Sequence, residues 1–166
     1  MGGIKGKRRV RRSLPDHLGE LVQGGSAHVR FEDVVADWPP GKRGLRVEGA
    51  PHTAWQLVEH LRIAQWDILE FSRRADHVSP DWPTGYWPVT EAPEAGAWDR
   101  AVADFLADRA AIESLVASRS AELLEPFHWG DGQTLLREAL LVADHNAYHL
   151  GQLVLLRRLL GLAPTR

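Results

Sequence analysis

The chain has 166 residues, of which 44% are hydrophobic and 25% charged, so it suits one soluble globular domain. It contains no cysteine, which excludes disulfides, thiolate metal sites and a catalytic thiol of its own, and which fits a cytoplasmic protein. No stretch approaches the length of a membrane span and no apolar run follows the N-terminal arginines, so we expect neither a membrane partner nor an export signal.

Basic residues are concentrated at the N-terminus, where the first twelve positions include Lys5, Lys7, Arg8, Arg9, Arg11 and Arg12. The rest of the chain carries 14 basic against 22 acidic residues. A short segment rich in Gly and Arg is typical of a disordered tail, so we predict a tail over 1–12 and a folded domain over 13–166. A tail that anchors nucleic acid is the alternative, although we do not expect nucleic acid as a partner.

The first two predicted helices lie in the N-terminal half. One runs from Pro15 to Asp37 and is interrupted by Gly24 and Gly25, which reduce helix stability and favour a kink. The other begins at 53-TAWQ-56, a capping box in which the Thr and Gln side chains satisfy exposed backbone amides. At 100° per residue its apolar stripe comprises Leu57, His60, Leu61, Ala64, Ile68 and Phe71.

The segment 79-SPDWPTGYWPVTEAPEAGAW-98 contains four prolines and four aromatic residues. It cannot form a regular helix, and its aromatic content predicts that it packs over the body of the protein. A third helix is predicted from Trp98 to Ser120.

The fourth predicted helix follows 130-GDGQT-134 and continues to about Leu160, where Gly161 and Pro164 signal its end. One face carries Leu135, Glu138, Val142, His145, His149, Leu153, Leu156 and Leu160. Four long helices with short to medium connections predict an all-α fold, a four-helix bundle, whose interior is a common place for a metal.

His145 and His149 are four residues apart, so their Cβ atoms lie about 5–6 Å apart on one helix face and both imidazoles can reach one ion. The spacing also arises by chance, and a pair of hydrogen-bonded core histidines is the alternative. A zinc-protease interpretation requires Glu as general base in His-Glu-x-x-His, and 145-HNAYH-149 has Asn146 there.

A third ligand must come from elsewhere in the bundle. His60 lies inside an apolar stripe, where an unsatisfied imidazole costs stability, so periodicity favours it without excluding His17 or His28. His52 and His77 flank the second helix and His128 lies in a loop, positions that are typical of surface residues.

The patterns 52-HTAWQLVEHLRIAQWDILEF-71, 79-SPDWP and 130-GDGQTLLREALLVADHNAYHLGQLVLLRRLL-160 resemble the DinB-like superfamily of damage-inducible and metal-dependent proteins. The resemblance covers most of the chain after about residue 13, and His-x-x-x-His-x-Gly-Gln is its most specific part. It implies a four-helix bundle, often dimeric, in which three histidines hold a divalent metal. On this chain the implied ligands are His60, His145 and His149.

Such a centre leaves a coordination position open, and zinc can lower the pKa of a bound water from 15.7 to about 7 or activate a thiol. The resemblance therefore implies an enzyme with zinc or nickel that acts on a small molecule by hydrolysis or by transfer of a low-molecular-weight thiol. Glu138 and Gln152 are candidates to orient ligands or relay protons, with solvent-facing positions as the alternative. The competing interpretation of the whole protein is a non-catalytic metal- or ligand-binding protein of the stress response.

Overall fold

Residues 12–163 are described by this computed structural model, and their regular structure consists of five α-helices and three short 3₁₀ turns. The helices are α1 (Leu14–Gln23), α2 (Phe31–Val35), α3 (Ala54–Arg73), α4 (Ala97–Ser118) and α5 (Leu135–Leu159). The 3₁₀ turns are Pro40–Lys42, Thr84–Tyr86 and Ser120–Glu122. Within 12–163 there is no β-strand, so the predicted all-α bundle of four long helices is confirmed. Apart from Arg12, the predicted basic tail lies outside the described residues.

The predicted helix from Pro15 to Asp37 is in fact two helices separated by a loop. α1 begins at a capping box, in which the Ser13 hydroxyl accepts a hydrogen bond from the Asp16 amide and the Asp16 carboxylate accepts one in return. It ends where Gly24 and Gly25 adopt φ values of 73° and 88°. These left-handed conformations are favourable for glycine and incompatible with a continuing helix, so the pair terminates the helix and does not merely kink it.

The predicted start of α3 is confirmed. The Gln56 amide donates to the Thr53 hydroxyl over 3.2 Å, and the Gln56 side-chain oxygen accepts from the Thr53 amide over 3.1 Å. The Thr53 hydroxyl also donates to the backbone oxygen of Glu91 over 2.7 Å, and the Trp55 indole donates to Thr90 over 3.2 Å. The same helix end therefore fixes the Pro-rich connection between α3 and α4 against the bundle.

α3 packs against both α4 and α5, and α1 packs against the same two helices. The buried Leu57, Val58 and Leu61 of α3 join one core cluster with residues of α2, α4 and α5, while Leu69 belongs to a second cluster that includes α1. The packing brings the inward faces of α3 and α5 together, which positions the predicted metal ligands. Over residues 12–163, no helix is both long enough and apolar enough to cross a membrane.

Candidate metal centre

The imidazoles of His60, His145 and His149 meet between α3 and α5. The Nε2 atom of His60 lies 3.2 Å from Nε2 of His149 and 3.0 Å from Nε2 of His145. One ring nitrogen from each residue lies within 4.8 Å of the other two. His60 and His149 are buried, and His145 is partly buried. The structure thus brings together three residues that are up to 89 positions apart in the sequence.

Helix geometry explains why the three imidazoles converge. His145 and His149 are one turn apart on α5, and the leucines that continue the same face, such as Leu153 and Leu156, are buried against α3. His60 lies on α3 between the buried Leu57 and Leu61. Each histidine is held in place by apolar neighbours on its own helix, so the convergence requires no irregular backbone.

Two of the three histidines have their tautomer fixed by the partner of Nδ1. His60 Nδ1 lies 2.8 Å from the backbone carbonyl oxygen of Tyr86, and His149 Nδ1 lies 2.8 Å from the side-chain carbonyl oxygen of Gln152. Both oxygens can only accept, so each Nδ1 carries the hydrogen and donates it. The Nε2 atom of each neutral ring therefore presents a lone pair to the cluster.

These two lone pairs face one another across 3.2 Å with no hydrogen between them. His145 has one hydrogen on a neutral ring and can donate it to only one neighbour, so hydrogen bonds among the three rings cannot satisfy all of them. Nitrogens that bind one ion at about 2.0–2.1 Å, with angles near 90–110°, lie about 2.8–3.4 Å apart. The observed separations fall in that range, so the donor set fits a divalent cation.

The protein environment favours the neutral imidazoles that metal binding requires. Burial lowers the pKa of His60 to about 4. Burial and the neighbouring histidines lower the pKa of His145 to about 4, and burial also lowers the pKa of His149. At pH 7 all three rings are therefore unprotonated, and their nitrogens are available as ligands.

The connection between α3 and α4 covers the cluster. The Trp87 indole stacks on the His60 ring at a centroid distance of 3.8 Å and an interplanar angle of 2°, and its other neighbour, His52, stacks at 3.9 Å. The predicted packing of the aromatic segment over the body is therefore correct. Because Tyr86 supplies the carbonyl that orients His60, this segment also belongs to the candidate metal centre.

A buried carboxylate anchors the covering segment. Asp67 of α3 accepts hydrogen bonds from the Tyr86 hydroxyl over 2.5 Å and from His77 Nε2 over 2.7 Å. Burial, followed by the bond to Asp67, raises the pKa of Tyr86 to about 12, so the phenol stays protonated and remains a donor. Asp67 thus holds Tyr86 from its hydroxyl end while the Tyr86 carbonyl holds His60.

The family model described as the DinB superfamily matches residues 25–153, a range that includes all three histidines. The chain belongs to the DinB superfamily. No significant match was found among curated proteins or among solved structures.

In this DinB superfamily chain the other histidines do not join the cluster. His17, His28 and His128 are exposed. The interpretation of His77 as a surface residue was wrong, because its side chain is 6% exposed and bonds to Asp67. His52 is half-buried and stacks on Trp87.

The two predicted ligand-orienting residues have different surroundings. Gln152 contacts His149 directly, as described above, and it is half-buried. Glu138 is buried, and its carboxylate accepts a hydrogen bond from Arg137 over 2.5 Å rather than from a histidine. Asn146, at the position of a protease's Glu, donates its amide to Gln65 over 2.8 Å and serves the helix packing.

Sequence reasoning missed Tyr86, Trp87 and Asp67 as parts of the site. The aromatic content of 79–98 was a usable signal for the indole that covers the cluster. A buried aspartate on the apolar side of a helix was a second signal, because such a carboxylate requires partners. No sequence pattern indicates which backbone carbonyl reaches His60.

Proposed function

We propose that this DinB superfamily protein is a metal-dependent enzyme that acts on a small molecule, with a divalent ion such as zinc or nickel held by His60, His145 and His149. The observation that carries the proposal is the pair of Nε2 lone pairs that face each other across 3.2 Å. A cation resolves the repulsion between them, and the N–N distances fit one ion. The family match and the three-histidine group support a metal-binding protein.

Three neutral imidazoles contribute no negative charge, so a bound ion keeps its full charge and supplies a Lewis acid for a small ligand. The chain's own residues determine how that ion is presented. Tyr86 and Gln152 fix the rings of His60 and His149, and Trp87 excludes water from the face of His60. Because the chain has no cysteine, a thiol nucleophile must enter as a cosubstrate.

The reaction that we propose is hydrolysis or the transfer of a low-molecular-weight thiol. One observation favours the second candidate, a non-catalytic metal- or ligand-binding protein of the stress response. Over the described range 12–163, no carboxylate hydrogen-bonds to any of the three histidines, and Asp67 and Glu138 are engaged with other partners. A general base would then have to come from the substrate or from a histidine.

Metal content tests the central claim. Wild type and the variants His145→Ala and His149→Ala are purified identically, loaded with zinc or nickel, dialysed and measured by inductively coupled plasma mass spectrometry. We expect about one equivalent of metal in wild type and a loss in both variants, while His128→Ala, an exposed histidine outside the cluster, retains it. Equal trace metal in all four proteins would contradict the proposal.

Activity separates the enzyme from the binder. Ester hydrolysis, amide hydrolysis and thiol transfer are assayed with the metal-loaded protein, with and without a chelator. Turnover that disappears with the chelator and returns with metal supports the enzyme, whereas stoichiometric metal without turnover supports the binder. The homodimer implied by the sequence resemblance is a separate proposal, which light scattering of the purified protein tests.

A further inference from the structure

A cavity of about 240 Å³ lies next to the candidate metal centre, between the loop at 48–52 and the C-terminal half of α5. Its walls are mainly apolar and are formed by Leu57, Leu155, Leu156 and Leu159. Leu57 and Leu156 are buried, whereas Leu155 and Leu159 are 54% and 55% exposed. The cavity therefore has a closed apolar floor and an open apolar rim.

Two polar residues on its wall connect the cavity to the metal centre. Gln152 lines the cavity and accepts the hydrogen bond from His149 Nδ1. His52 also lines the cavity and stacks on the face of Trp87, which stacks in turn near His60. A molecule in the cavity thus contacts Gln152, which bonds directly to the proposed ligand His149, and His52, which reaches the proposed ligand His60 through Trp87.

Charge and size restrict the occupant. Glu48 is the one acidic side chain among the lining residues, and none of the lining residues is Lys or Arg. An anionic group therefore finds no cationic partner on these walls, whereas a neutral or cationic group does not conflict with Glu48. A cavity of about 150 Å³ accommodates benzene, so the volume here suits an aryl ring with a short chain or an alkyl chain of similar bulk.

We propose that this cavity binds the apolar arm of the small-molecule substrate, an aryl or short alkyl group without negative charge. The proposal rests on the proposed function for the identity of the ligand as a substrate, but the binding of the arm requires no metal. Covering the half-exposed Leu155 and Leu159 removes apolar surface from water, which supplies the driving force. The amide of Gln152 supplies a polar contact at the inner wall.

Isothermal titration calorimetry with three probes tests the proposal. The probes are 4-phenylbutan-1-ol, 4-phenylbutylamine and 4-phenylbutanoate, which share one apolar arm and differ in head-group charge. We expect the alcohol and the amine to bind, and the carboxylate to bind about tenfold more weakly or not at all. Binding of the neutral probe to both metal-free and zinc-loaded protein is expected, because none of the three clustered histidines lines the cavity.

Matched variants locate the binding. Leu155→Trp places a larger side chain at the half-exposed rim of the cavity and should weaken the binding of the alcohol about tenfold or more. Leu140→Trp is the control, since Leu140 is a similarly exposed leucine of the same helix that does not line the cavity. Equal affinity of Leu155→Trp and wild type, or no binding of any probe, overturns the proposal. Circular dichroism of both variants verifies that each is folded.

Two further outcomes separate this proposal from others. A second copy of the chain that covers Leu155 and Leu159 would exclude the probes. In that case Leu155→Trp would change the molar mass measured by light scattering, and such a change also overturns the proposal. If metal binding fails while the neutral probe binds wild type and not Leu155→Trp, the proposed function falls and the apolar site stands. If metal binds and no probe binds, the proposed function stands and the apolar site falls.

Discussion

Replacing Gln152 by Ala should weaken metal binding without unfolding the protein. In wild type the Gln152 oxygen accepts a hydrogen bond from His149 Nδ1 over 2.8 Å, which fixes the tautomer with its lone pair on Nε2. Alanine cannot accept that bond. The His149 ring then becomes free to rotate and to carry its hydrogen on Nε2, the nitrogen that the proposed ion requires.

The size of the effect follows from the exposure of this bond. Residues that orient metal-binding histidines contribute about 10- to 100-fold to metal affinity. Gln152 is half-buried and lines a cavity that water can enter, so water replaces part of the lost contact. We therefore expect the zinc affinity of Gln152→Ala to fall about tenfold, near the lower end of that range, which corresponds to about 1.4 kcal/mol of binding free energy.

Competition with a chromophoric zinc chelator at pH 7.5 measures this change. Gln152→Glu keeps an acceptor oxygen at the same distance along the side chain and should retain or increase the affinity. Gln23→Ala, which alters an exposed glutamine at the end of α1, should leave it unchanged. Equal zinc affinities for Gln152→Ala and wild type would refute the reasoning, because they would mean that Gln152 does not orient His149.

Three other outcomes are expected. For the metal-free protein, the unfolded chain binds more protons than the folded one between pH 6.5 and about 4, because burial lowers the pKa of His60 and His145 to about 4. Its free energy of unfolding should therefore fall as the pH is lowered through this window. For each histidine the loss is up to about 1.4 kcal/mol for every unit by which folding lowers its pKa. Urea titrations at a series of pH values measure this loss, and a free energy of unfolding that does not change with pH would contradict the prediction. Trp87→Ala removes an indole stacked between two imidazoles and should lower the free energy of unfolding by about 2–3 kcal/mol, measured by the same urea titration. The control Trp82→Ala changes a side chain that is 76% exposed and should lower it by less than about 0.5 kcal/mol. Gln65→Leu breaks the hydrogen bonds that a fully buried amide makes to α4 and α5, and thermal unfolding should show a loss of about 1–3 kcal/mol; an unchanged midpoint would show that these bonds contribute nothing net.

The parts of the site that lie on regular helices could be predicted from the sequence. The inward positions of His60, His145 and His149 follow from the 3.6-residue period, because leucines of the same stripes must be buried. The start of α3 was equally predictable, since Thr53 and Gln56 form a local motif whose hydrogen bonds span only three residues.

The remaining parts depend on contacts that a local pattern does not encode. Any residue of a long connection offers a backbone carbonyl, so the choice of Tyr86 as partner of His60 is determined by the path of that connection and by its anchor at Asp67. The break between α1 and α2 was underestimated because Gly24 and Gly25 also tolerate helical conformations. In the structure both adopt positive φ, and the Gly24 amide closes α1 by donating to the backbone oxygens of Glu20 and Leu21.

The stacking of Trp87 on His60 has a spectroscopic consequence. A ring separation of 3.8 Å places the indole within the range at which a charge gained by the imidazole alters its excited state. We therefore expect the fluorescence of Trp87 to report on His60, and the difference in emission between wild type and Trp87→Phe to separate its signal from that of the other six tryptophans. Zinc binding and protonation at the three histidines should then be measurable by fluorescence in unlabelled protein.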